Sequence, residues 1–368
     1  MEFGLSEEQL MLTESLRGFL DERLPMNKLR EIAEGGLGFD GELWSGLAEQ
    51  GIMGIMVPED FGGLGLSLLD AAVTAEALGY HAAPTPFAAA LVMAPLALIA
   101  SGDRAQQKAW LPRIASGEVR IGVGFAGMSG QTGEAVARLD GNKLSGCITG
   151  VLDGGDATHF IVYLGDGRAA LLAAVEEPGV SVGTHRSLDR TRPVTTLVLH
   201  DARAAILGAA NDPKAAVTAV LDAGRVMLAG DTLGAAQSMF DKALLYSKER
   251  VQFNRVIGSF QAVKHTLADI ITMLEPCRSL VWYAAHAQDG PAEEARVAAL
   301  QAKAHLGDTG REIARLATEI HGGMGFTDLL GLHYWFKRIA FNRQVLGAPE
   351  RCRHEAAVAQ EWASLSVL

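Results

Sequence analysis

Asp231 sits in the setting that most invites chemistry. It stands between Val-Met-Leu-Ala-Gly and Thr-Leu-Gly-Ala-Ala, with no other charge in that stretch. A carboxylate among apolar neighbours is costly unless it is paired or protonated, and a carboxyl with a raised pKa suits a general base. The plainer reading is an Asp satisfied by a neighbouring helix. Glu350 follows Pro349 at a helix start, where an acidic residue is ordinary. Arg250 closes one helical stretch and Gly322-Gly323 closes another. Helix-end arginines and helix-terminating glycine pairs are common. Yet an arginine is always charged and multidentate, and a glycine pair lets backbone approach a ligand closely. Cys147, Cys277 and Cys352 lie far apart without metal spacing, so neither a zinc site nor a disulfide framework is expected.

Helices must position most of these residues. Leu5, Gln9, Leu12, Leu16 and Leu20 recur at helical spacing after Ser6, with Gln9 completing a capping box. Helical pattern covers 41–50, 68–78 and 104–116, and the Pro58/Gly62/Gly63/Gly65 stretch is a loop. From about 119 to 207 the chain changes character. FIVYL (160–164), AALLAA (169–174) and TTLVL (195–199) read as short strands between Asp-Gly turns, which predicts a small antiparallel barrel or sandwich. Asp212-Pro213 then opens a long helix to about Arg250, and 261–285, 292–320 and the stretch after Pro349 are helical. The expected division is a helical domain at 1–118, a β domain at 119–208 and a helical bundle at 209–368.

Composition excludes several classes. Lys and Arg number 32 against 43 Asp and Glu, a net charge of −11, which argues against nucleic-acid binding. The most apolar run, 87–100, has about 14 residues and contains Pro95, short of the ~20 a membrane span needs. The N-terminal segment mixes Glu and Arg into its apolar positions, unlike a secretory signal. A cytoplasmic protein is expected.

Four stretches, in order, resemble the acyl-CoA dehydrogenase family: LAEQGIMGIMVPEDFGGLGLSLLDAAVTAEALG (47–79), the turn-rich β middle, ERVQFNRVIGSFQAVKHTLADI (249–270) and EIHGGMGFTD (319–328). The resemblance implies an α+β fold: an N-terminal helical domain, a central antiparallel β domain and a C-terminal four-helix bundle. It also implies FAD, tetramers, and removal of hydrogens across the Cα–Cβ bond of an acyl-CoA thioester. In that chemistry a carboxylate takes the α-proton and the flavin takes the β-hydride. Electron-transfer flavoprotein is the acceptor implied.

The resemblance assigns cofactor contacts to Arg250, Gln252, Phe253 and Gln261, and to Glu319, Gly322 and Gly323. In the family such segments hold the ADP half of a neighbouring subunit's FAD. Two departures occur there, Asn254 for a glycine and Glu319 for a glutamine. The family's two positions for the basic glutamate fall on Leu346 and Gly224, neither of which takes a proton. Asp231, seven residues beyond Gly224 on the same helix face, is the remaining candidate base, or else lines the far acyl pocket. At the flavin-ring segments, Gly150 replaces the expected aromatic, and Ser129 and Thr149 are ordinary turn residues that could donate hydrogen bonds. Arg225 is either a group near the active-site loop or a helix-buried ion pair, and His321 is a cap or core residue. Of Tyr334-Trp335-Phe336, some pack inward and some serve an interface. The 58–63 loop is structural.

The family's heteromeric α2β2 enzymes act on bulky acyl chains, and this sequence resembles their degenerate subunit. That gives three expectations. The chain is a subunit that completes a partner's FAD site; or a self-sufficient homotetramer using Asp231; or a flavin-free acyl-CoA-binding or scaffold protein.

Overall fold

The computed structural model describes residues 4–36, 38–126, 137–174 and 176–363. In chain order the elements are α1 (Glu7–Arg23), α2 (Met26–Gly35), α3 (Gly41–Glu49), α4 (Leu68–Tyr80), a π-helical segment Phe87–Met93 leading into α5 (Ala94–Ser101), and α6 (Arg104–Ala115). Then come β1 (Ile121–Phe125), β2 (Arg138–Asp140), β3 (Lys143–Val151), β4 (His159–Tyr163), β5 (Ala169–Ala173), β6 (Val180–His185), β7 (Val194–Arg203) and β8 (Ala205–Leu207). The last section is α7 (Pro213–Glu249), a two-stranded hairpin β9 (Val251–Gln252) and β10 (Arg255–Val256), α8 (Gln261–His286), α9 (Ala292–His321), α10 (Leu332–Gln344) and α11 (Pro349–Ala359). Among the described residues no helix is long and apolar enough to cross a membrane.

Side-chain caps fix the helix starts. Ser6 and Gln9 bond each other's backbone N–H across the first turn of α1. Asp212 Oδ1 accepts from the N–H groups of Lys214 and Ala215 at the start of α7, which is why the Asp-Pro pair opens a helix there.

The chain divides into two compact units. One comprises Arg30–Ala71 and Pro84–Arg225. Within it two four-stranded sheets, ordered β1-β4-β5-β8 and β2-β3-β7-β6, face each other. Phe160, Val162 and Leu172 of the first meet Leu144, Ile148, Leu197 and Leu199 of the second in a dry core. All strand pairs within these sheets are antiparallel except β1–β4, which is parallel. Between β1 and β4 the chain builds β2 and β3 in the opposite sheet, so it returns to the first sheet in its original direction. The 58–63 loop is structural: a Cβ on Gly63 falls 2.0 Å from the Val57 carbonyl oxygen, so the loop folds onto backbone.

The other unit comprises Met1–Leu29, Ala72–Ala83 and Val226–Leu368. Here the 72–83 segment and α7 approach at backbone distance. A Cβ on Gly234 falls 1.8 Å from the Glu76 carbonyl oxygen, and one on Gly79 falls 2.0 Å from that of Asp231. Tyr334 and Trp335 of α10 point inward, the Trp335 indole donating to the Tyr80 carbonyl at 2.8 Å, while Phe336 is partly exposed.

Candidate functional site

Three helix ends converge in this second unit. α8 and α9 have 26 and 30 residues and are joined by a short turn, so they run antiparallel and the start of α8 lies by the end of α9. The end of α7 reaches the same place. The Tyr246 ring stacks on His321 with centroids 4.6 Å apart. The β9–β10 hairpin then carries the chain to α8, and the Ile257 N–H donates to the Arg250 carbonyl at 2.8 Å.

Arg250, Gln252, Phe253 and Gln261 are all exposed at this end. The Arg250 guanidinium has no ion-pair partner among the described residues. Phe253 and Asn254 form the hairpin turn with φ of 53° and 61°. A two-residue hairpin turn of this kind needs positive φ at both positions, and asparagine is among the few non-glycine residues that accept it. Asn254 therefore preserves a backbone shape that glycine would also give. α8 begins without a side-chain cap, because Phe260 at its N-cap offers no acceptor. Gln261 and Ala262 of its first turn are exposed, and an uncapped helix N-terminus attracts anions.

Gly322 has φ 58° and ψ −140°, a conformation that strains any other residue. A Cβ added at Gly322 or Gly323 meets nothing within 4 Å, so the backbone there is open to a visitor. Glu319 is exposed and paired with Arg315, which also bonds Glu312. His321 is buried, with Nδ1 at 2.7 Å from the Ala317 carbonyl, and burial lowers its pKa, which keeps the ring neutral. It is a core residue.

Asp231 is 2% exposed and held on all sides. Arg338 reaches it bidentately, Nε at 2.9 Å from Oδ1 and Nη2 at 2.6 Å from Oδ2. Asn342 donates to Oδ1 at 2.6 Å and to Thr232 Oγ1 at 3.2 Å. This geometry engages both oxygens of the candidate base in bonds to α10. The carboxylate serves as the ionic joint between α7 and α10, with both oxygens engaged by donors. Arg338 and Asn342 are the residues that sequence reasoning missed. Their four-residue spacing within an otherwise apolar-faced helix was the available signal.

The other positions are as empty as their residue types imply. Leu346 has φ 57° and is followed by Gly347 at φ 111°. The buried Lys303 fixes this loop, donating to the carbonyls of Arg343 (3.2 Å) and Gly347 (3.0 Å). Glu350 bonds Arg343 at 2.8 Å; its own backbone N–H and that guanidinium lower its pKa, so it is a poor proton acceptor. Arg225 forms a buried pair with Asp222 at 2.8 Å, one turn before it, beside Gly224. In the β domain, Gly150 occupies a bulge in β3, between Thr149 and Val151, with φ 70° and nothing within 4 Å of a Cβ. Glycine itself offers no ring for stacking. Thr149 pairs in register with Thr196, and Ser129 lies outside the described residues.

Residues 6–118 match the family description "Acyl-CoA dehydrogenase, N-terminal domain" and residues 214–359 match "Acyl-CoA dehydrogenase, C-terminal domain". The chain belongs to the acyl-CoA dehydrogenase family. It is 29% identical to the acyl-CoA dehydrogenase IpdE2 of Mycolicibacterium smegmatis, over 94% of this chain and 96% of that one. Among solved structures it is similar to a Tcur3481–Tcur3483 steroid ACAD variant, with 30% identity, TM-score 0.87, and coverage of 96% and 98% of the two chains. It is also similar to the ChsE4–ChsE5 complex of Mycobacterium tuberculosis, with 26% identity, TM-score 0.88, and coverage of 99% and 100%.

The family comprises oxidoreductases acting on acyl-CoA, and FAD is its cofactor. The donor set where α7 and α9 end and α8 begins fits the nucleotide half of FAD. It offers an unpaired guanidinium, an uncapped helix N-terminus and an open diglycine backbone, all suited to a diphosphate. Glu319 is the one discordant group, and Arg315 sits on it.

Proposed function

We propose that the chain is one subunit type of a heteromeric FAD-dependent acyl-CoA dehydrogenase. It grips the nucleotide half of an FAD whose ring and catalytic carboxylate belong to a partner chain. One contrast carries this reading: the anion-binding end of the bundle is open, while Leu346, Gly224 and Asp231 leave no free carboxylate at the positions considered for a base. The self-sufficient alternative needs Asp231 to release Arg338 and Asn342, and the three bonds above oppose that.

When bound, FAD accepts the β-hydride of the thioester. Arg250 balances the diphosphate charge from the end of α7. The N–H groups at the start of α8 orient the same anion, and Gly322-Gly323 allow close backbone approach. The α-proton goes to the partner's carboxylate. The β domain of this chain, with Gly150 at the ring position, contributes little chemistry of its own.

Relatives named as a steroid ACAD and as a two-chain ChsE4–ChsE5 complex support a bulky acyl-CoA substrate and a hetero-tetramer. A cytoplasmic location, electron-transfer flavoprotein as acceptor, and functional divisions at 1–118, 119–208 and 209–368 belong to the same reading. Purification tests it. The chain alone should carry little flavin, and coexpression with its partner should give stoichiometric FAD and turnover. Full flavin occupancy with turnover from this chain alone overturns the reading.

A further inference from the structure

Glu312, Arg315 and Glu319 lie at i, i+3 and i+7 on α9 and so form one stripe leading to the Gly322-Gly323 end. Arg315 bonds both carboxylates, through Nε to Glu312 Oε2 at 3.0 Å and through Nη1 to Glu319 Oε1. We propose that Arg315 is a positioning residue of the nucleotide site: it cancels the charge of Glu319 and fixes that carboxylate as an acceptor for a hydroxyl or amino group of the bound nucleotide. The inference rests on the reading that this end of the bundle holds the nucleotide half of FAD.

Electrostatics makes the partnership necessary. Glu319 stands in the last turn of a 30-residue helix, where the macrodipole already places negative charge. A diphosphate nearby adds a second repulsion. A lone carboxylate there would repel the ligand. With Arg311 and Arg315 set against Glu312 and Glu319, the stripe is neutral overall, and the positive charge of Arg250 is left for the diphosphate. His321 adds none, since burial keeps it neutral.

Chemistry then decides what Glu319 does. A glutamine both donates and accepts, so it bonds phosphate oxygens as readily as hydroxyls. An ionised glutamate only accepts. Glu319 is therefore barred from phosphate oxygens and matched to a ribose hydroxyl or an adenine amino group. Carboxylates hold ribose hydroxyls in this manner in other nucleotide sites.

The test uses the chain assembled with its partner, stripped of flavin, and titrated with FAD by flavin fluorescence at low and high NaCl. Arg315→Ala should weaken FAD binding about tenfold at low ionic strength and less than about threefold at high salt, because screening acts on exposed charge. Glu319→Gln in the Arg315→Ala background should restore affinity to that of Glu319→Gln alone. A purely structural role for Arg315 predicts no such rescue. Equal affinity of wild type and Arg315→Ala at low salt, or a defect that Glu319→Gln leaves untouched, overturns the inference alone. A wild-type assembly that takes up no FAD overturns the parent reading and this inference with it. The stripe is solvent-exposed, so unchanged thermal unfolding of each variant separates binding from folding.

Discussion

The Tyr246 ring lies nearly parallel to His321, 28° between planes at 4.6 Å, and this contact joins segments 75 positions apart in the chain. Arg250 lies one turn beyond Tyr246, and Gly322 is one residue beyond His321, so the stack ties together the two segments that carry them. Replacing Tyr246 by Leu keeps apolar volume and removes the stack. The expected cost is about 1 kcal/mol of stability, read from urea unfolding, together with weaker FAD uptake by the assembly. Unaltered FAD affinity in a Tyr246→Leu protein would show that the stack does not aim the site.

His321 also gives a pH signature. Burial depresses its folded pKa below the ordinary 6.5, so the unfolded chain binds the proton more readily. The stabilising contribution is therefore fully present above the unfolded value and is lost as pH falls through it toward the folded value. His159 shifts in the same direction, through burial and then the nearby Arg113. The thermal unfolding midpoint should thus drop as pH falls below about 6.5, and His321→Gln should flatten part of that drop while His159 sustains the rest. An identical slope in the variant would contradict the assignment.

Local signals were read well where one residue's side chain decides a boundary. Ser6 with Gln9, and Asp212 with Pro213, placed helix starts correctly because capping acts over three residues. The same rule fails at α10, whose N-cap Gly331 has no capping side chain and takes a left-handed conformation. The 87–95 stretch is buried throughout and begins as a π-helix, so no polar face marks its period. The parallel β1–β4 pair was hidden because it depends on two strands leaving for another sheet. The site divides in the same way. Arg250 and the diglycine carry their chemistry in their residue types, whereas the fate of Asp231 depended on Arg338, 107 positions away.

Asp231→Asn separates a structural ion pair from a base. The substitution leaves the fully buried Arg338 without its counter-charge, and the expected loss is about 3–5 kcal/mol. The equilibrium unfolding midpoint should fall sharply. A base role predicts the opposite pattern, with intact stability and abolished flavin reduction by substrate. Replacing both Asp231 and Arg338 by apolar residues of similar volume should recover much of the lost stability, because no buried charge is then left unpaired.

Two glycines in this unit should respond to alanine in opposite ways. At Gly234 the new methyl lands 1.8 Å from the Glu76 carbonyl oxygen and 2.7 Å from the Tyr80 nitrogen. Both are backbone atoms of a packed helix, so α4 must move away from α7, at a cost of about 3 kcal/mol. At Gly323 the methyl meets nothing within 4 Å, so stability should change by less than about 0.5 kcal/mol. Its effect belongs to the ligand, since the methyl occupies space that a close-lying diphosphate needs. Unfolding curves should therefore single out Gly234→Ala, and FAD titration of the assembled protein should single out Gly323→Ala. Should Gly323→Ala bind FAD as wild type does, the diglycine is only a helix stop and the grip must come from Arg250 and the start of α8.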